Sequence, residues 1–146
     1  MHVIPGVVSM FNHEVVHDSN KVFFEMIPKD PEDPDMIVWY DGPQLYFCRA
    51  RLDGMKEVFI TVHIDHNQER DVYLHVPVSP ERKDDILGGK VSLHDAFADS
   101  RRGWALVSVH YQSRRTVVAK KKIEDIPEFW FPQGEDYLTP EEPKEE

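Results

Sequence analysis

Val58-Phe59-Ile60-Thr61-Val62-His63-Ile64-Asp65, answered by Val72-Tyr73-Leu74-His75-Val76-Pro77-Val78, decides the architecture of this chain. In both runs an aliphatic residue stands at every second position, the period of a half-buried strand. The runs are joined by the polar stretch His66-Asn67-Gln68-Glu69-Arg70, which makes them an antiparallel hairpin. Ile60, Val62, Leu74 and Val76 are expected to be buried together on its aliphatic face. Phe59, His63, Tyr73 and His75 carry the opposite face, expected to be the solvent-facing half of the sheet.

Upstream, Met36 to Tyr40 and Gln44 to Leu52 read as strands, separated by the turn Asp41-Gly42-Pro43. Asp53-Gly54 supplies the positive φ angles of a tight hairpin turn. Pro28 to Asp35 holds three prolines and four acids and reads as a loop. Before it lies an extension that ends in the strand-like Val22-Phe23-Phe24-Glu25-Met26-Ile27.

Downstream, Ser79-Pro80 changes the period. Serine caps a helix, and proline fits the first helical position because that N–H has no partner anyway. A short helix to Leu87 is stopped by Gly88-Gly89, and Ser92-Leu93-His94-Asp95 opens a second one through Ala98. Trp104 to Tyr111 returns to strand, and Thr116 to Ala119 adds another. The fold class is α+β: an antiparallel sheet with two short helices between the central hairpin and the later strands. Residues 1–35 form an N-terminal extension and acidic Pro-rich loop, 36–138 a single domain, and 139–146 a disordered acidic tail.

The 146 residues suit one domain able to bury a core. A formal charge of −10 disfavours general binding to nucleic acid, since a polyanion is repelled at long range. The single cysteine, Cys48, excludes an internal disulfide and reads as a buried structural thiol beside Tyr46 and Ala50. No run approaches the ~20 apolar residues of a membrane helix, so a cytoplasmic bacterial protein is expected.

Several landmarks follow one another in a set order. They are Tyr40-Asp41-Gly42-Pro43, Val76-Pro77-Val78-Ser79-Pro80-Glu81-Arg82, Gly89-Lys90-Val91-Ser92-Leu93-His94-Asp95-Ala96-Phe97, Gly103-Trp104 and Ile126-Pro127-Glu128-Phe129. Over about residues 40–138 this order resembles a family of small bacterial domains of unknown function. The landmarks are turns, caps and core positions, so the resemblance implies a fold and no chemistry.

His13-Glu14-Val15-Val16-His17 matches the zinc-peptidase pattern H-E-x-x-H, in which one helical turn brings two imidazoles to a metal. The extended form of that motif fails here, with Asn20 and Phe23 where glycine and histidine belong, and two β-branched residues weaken a helix. His63, Asp65 and His75, with His110, share a sheet face by alternation and are weighed as a metal site against ordinary surface polarity. Ser92, His94 and Asp95 are catalytic residue types whose spacing is that of a cap. None of these sets is assigned: the reading expects no catalytic residue, no metal and no cofactor.

The charge pattern is the stronger signal. Between Ser100 and Lys122 there is no acid, while Arg101, Arg102, Arg114, Arg115, Lys120, Lys121 and Lys122 are cations. These seven, with Trp130 from the aromatic run Phe129-Trp130-Phe131, are the candidate partner-binding residues. The expected function is a non-enzymatic interaction or regulatory module, an accessory subunit or an immunity- or antitoxin-like inhibitor of a partner protein. The alternatives are a zinc-dependent hydrolase using His13, Glu14 and His17, and a nucleic-acid-binding accessory protein using the 101–122 face.

Overall fold

The computed structural model describes residues 15–16, 22–25, 28–39, 42–52 and 54–132. The strands are β1 (Val15–Val16), β2 (Val22–Glu25), β3 (Met36–Trp39), β4 (Pro43–Leu52), β5 (Met55–His66) and β6 (Arg70–Val78). Helices α1 (Pro80–Leu87) and α2 (Leu93–Ala98) follow, then β7 (Trp104–Tyr111) and β8 (Thr116–Lys122). All pairings are antiparallel, in the order β1-β8-β7-β6-β5-β4-β2, with β3 also beside β4. Among the described residues the protein is thus a predominantly β, antiparallel sheet with two short helices. The tail, residues 139–146, lies outside the described residues.

The hairpin has the register its alternation predicts. Ile60 stands opposite Val76, and Val62 opposite Leu74. Ile60, Leu74 and Val76 have no exposure, and half-buried Val62 packs on the same cluster. Leu52 pairs with Met55, and Gly54 between them takes a φ of +85°, which costs a residue without Cβ little. Asp53 lies outside the described residues. At the other end the strands run one residue further into the polar stretch on each side than the sequence indicates. The Asn67 side chain accepts the N–H groups of Glu69 (2.7 Å) and Arg70 (3.0 Å), so three residues suffice to reverse the chain.

Both helix caps form. Ser79 Oγ accepts the Arg82 N–H and Ser92 Oγ the Asp95 N–H, each at 3.1 Å. The Arg82 guanidinium donates to the carbonyls of Asp95 and Asp99, which ties α1 to the end of α2. Ile86, Leu93, Ala96 and Phe97 then cover the aliphatic face of the sheet, together with Trp130 and Phe131.

The opposite face departs from expectation. It is buried too, with Phe59, Ala50 and Leu106 at 0% exposure beside Tyr46, Cys48 and Val118. Chain connectivity explains why. β1 and β2 occupy opposite ends of the strand order, yet Val16 and Val22 are six residues apart and no more than about 22 Å. Seven strands laid flat would separate them by about 29 Å. The sheet must therefore curl. Phe24 on β2 stacks on His75 of β6 at 4.3 Å, three strands away, so the curl encloses this face.

Candidate functional site

The enclosed face holds polar groups among its aromatics: Thr61, His75 and Ser108 are at most 2% exposed. Strand pairing places them side by side, Thr61 opposite His75 on β5 and β6, with Ser108 on β7. The resulting relay crosses four strands. Cys48 Sγ lies 3.4 Å from Thr61 Oγ1, which is 2.8 Å from His75 Nδ1; His75 Nε2 is 2.7 Å from Ser108 Oγ, itself 2.9 Å from His110 Nε2. Run from the thiol, S–H donates to Thr61, Thr61 O–H to Nδ1, Nε2–H to Ser108, and Ser108 O–H to His110. The reverse polarity satisfies every atom equally.

This relay is electrically silent. Burial pushes the Cys48 thiol up to about 11, an effect its bond to Thr61 only partly offsets. Burial likewise drives His75 well below the usual imidazole value, and His110 down as well. A neutral thiol and a sealed neutral imidazole are poor nucleophile and base. Cys48 is thus the buried structural thiol its neighbours imply.

A second group of histidines sits at the hairpin end of the same face. His63 Nε2 and His66 Nδ1 both reach Asp71 Oδ1, at 2.9 and 2.6 Å. His63 Nδ1 is 2.9 Å from the amide oxygen of Gln44, and its ring stacks on Tyr73 at 4.7 Å. Beside the group an open depression of about 560 Å³ is lined by His66, Asp71, His110 and Tyr111. Asp65, which strict alternation places with His63, instead binds Arg70 at 3.0 Å. The cause is a register shift between His63 and Asp65: Asp65 pairs with Val72 and His66 with Asp71. The extra residue turns His66 onto the histidine face in place of Asp65. His75, joined to His110 through Ser108, belongs to the relay and not to this group. Alternation marks Thr61 for the enclosed face, but nothing in the sequence marks the bulge that selects His66.

The basic stretch does not lie on one face. Arg101 and Arg102 precede β7, whereas Arg114 and Arg115 occupy the turn at its far end, where Arg114 takes a φ of +71°. Lys121 is 4% exposed among its exposed neighbours Lys120 and Lys122, because strand alternation turns it to the opposite side. What does gather is a subset. The Arg102 guanidinium lies 5.3 Å and the Lys120 ammonium 4.6 Å from the Trp104 ring centroid, and Lys122 pairs with Trp104 across the strands. Arg102 is also held by both carboxylate oxygens of Glu57 at 3.2 Å. A groove of about 830 Å³ beside it is lined by Lys56, Arg82, Arg101 and Arg102 against Glu57, Glu81 and Asp85.

Trp130 is 8% exposed and packs in the core with Phe131; the aromatic turned outward is Phe129, at 75%. A short 3-10 turn, Glu128–Trp130, produces this split. His13, Glu14 and His17 lie outside the described residues. Val15 and Val16 between them are extended and pair with Ala119 and Val118, not the helical turn that H-E-x-x-H requires. Ser92 serves as a cap, and His94 bridges to Asp95 and Glu128, whose carboxylates raise its affinity for a proton. Among the described residues no helix is long and apolar enough to cross a membrane.

Residues 36–143 match the family of unknown function DUF6575, and the chain belongs to that family. No curated protein and no solved structure matches it.

Proposed function

We propose that this member of the family is a non-enzymatic interaction module of a bacterial cytosolic system. It docks an acidic segment of a partner protein on the cations around Trp104. The observation that carries the reading is the placing of Arg102 and Lys120 against one half-buried indole, with Lys122 beside them. An indole between cations presents a flat apolar anchor inside a positive rim, a combination of residue types enriched at binding hot spots. On a chain of net charge −10 such a patch orients an acidic partner for docking. The silence of the buried Cys48–His110 relay supports a binding role over a catalytic one.

The test compares two charge variants of the full chain in affinity purification from the source organism, followed by reconstitution with the purified partner. Arg101→Ala/Arg102→Ala/Lys120→Ala/Lys122→Ala is expected to fold and to lose the partner. Arg114→Ala/Arg115→Ala, altered at the far end of β7, is expected to keep it. Equal retention by both variants at low and high salt refutes the reading. Recovery of a nucleic acid in place of a protein, with salt-dependent affinity, turns it to the nucleic-acid alternative.

A further inference from the structure

We propose that His63, His66 and Asp71 form a site for a divalent transition-metal ion of the zinc class, with its open coordination positions turned to the depression that His66 and Asp71 line. This inference is independent of the docking reading, because the Trp104 cluster lies at the opposite end of β7. It also runs against the expectation of no metal drawn from the sequence.

The ligand set fits such an ion. Two imidazole nitrogens and one carboxylate oxygen lie within 4.8 Å of one another. Two histidines and a carboxylate match zinc and related transition ions, whereas an oxygen-only set suits magnesium or calcium. Tetrahedral bonds of ~2.0–2.1 Å hold ligand atoms about 3.3 Å apart. Asp71 Oδ1 stands 2.9 and 2.6 Å from the two nitrogens, so side-chain rotations of about half an ångström admit the ion. The side chains of His66, 66% exposed, and Asp71, 37% exposed, have room to make them.

His63 is oriented as a ligand from its far side. Gln44 presents its amide oxygen to Nδ1 at 2.9 Å, which leaves Nε2 directed at the Asp71 carboxylate oxygen, also 2.9 Å away. A carbonyl oxygen on the far nitrogen is also the usual outer partner of a metal-bound histidine, fixing both tautomer and orientation. Stacking on Tyr73 at 4.7 Å holds the ring further.

Access to the site is open, because His66 and Asp71 both line the depression of about 560 Å³. Three protein ligands leave room for water or for a side chain from outside, as in open rather than closed zinc sites. Because the ligands come from both strands of the hairpin, the ion would clip β5 to β6 across the 67–69 turn.

The experiment uses the full chain, stripped with a chelator and titrated with Zn²⁺ by calorimetry and with Co²⁺ by its visible absorption. One ion per chain is expected, with no competition from Mg²⁺ or Ca²⁺. Asp71→Asn and His66→Ala should each weaken binding by about 100-fold or more. His66→Ala removes an exposed side chain, so it keeps its fold. Asp65→Asn and the double variant His13→Ala/His17→Ala should bind like the wild type. Zn²⁺ should raise the melting temperature of the wild type and not of His66→Ala. Absence of saturable binding overturns the proposal. So does binding that survives His66→Ala and Asp71→Asn, or that disappears in the His13→Ala/His17→Ala variant.

Discussion

Two groups of histidines share one face of the sheet and differ in almost every physical respect. His75, at 2% exposure, is wired through Thr61 and Ser108 to Cys48 and His110, and burial keeps it neutral. His63 and His66 stand at the hairpin end and converge on the carboxylate of Asp71, and His66 and Asp71 line an open depression. The contrast teaches that access, not residue type, divides structural from chemical histidines here. A sealed imidazole with both nitrogens satisfied by hydroxyls stabilises a fold. Two imidazoles that share one carboxylate beside an open depression offer a cation a set of ligands.

The largest expected effect is kinetic. With the Cys48 thiol pushed up to about 11, only on the order of one thiol in ten thousand is ionised at pH 7. Labelling by a disulfide reagent should therefore be at least ~100-fold slower in the native protein than in the denatured chain. Rapid native labelling would show that the relay is open at its thiol end. Next in size is His75→Ala, which strands the Thr61 and Ser108 hydroxyls in a dry interior. It should cost ~3 kcal/mol in urea denaturation; a loss below about 0.5 kcal/mol, the range of surface sites, would contradict the seal.

The pH dependence follows from the same burial. The unfolded chain takes up a proton at His75 below about pH 6.5, while the folded relay resists it to a much lower pH. Stability should thus be full above about 6.5 and fall as the pH drops below it, by up to about 1.4 kcal/mol per pH unit. His110, also lowered by burial, adds to the slope over a narrower window. Chemical denaturation at a series of pH values, with His75→Gln as the flattened control, measures it. The smallest effect sharpens the contrast: His66→Ala should change metal-free stability by less than about 0.5 kcal/mol. A larger loss would make the hairpin-end cluster a structural network like the first.

Features whose cause is local were legible in the amino-acid order. Alternation set the Ile60–Val76 and Val62–Leu74 register, since a one-residue slip would bury the wrong face. Ser79 and Ser92 set the helix starts through bonds spanning three residues. Gly54 marked its turn. Tertiary structure alone decided what depends on distant partners. The curl that buries the second face comes from closing β1 and β2 across five intervening residues, and no strand carries that constraint in its own pattern. The split of the basic stretch into two ends of β7, and the turn that seats Trp130 inside and leaves Phe129 outside, are equally invisible to a count of charges or rings. The bulge near Ile64 is the sharpest case. One added residue reverses side-chain parity, so His66 and not Asp65 joins His63, because facing direction in a strand is inherited from the partner strand's register and not from the residue itself.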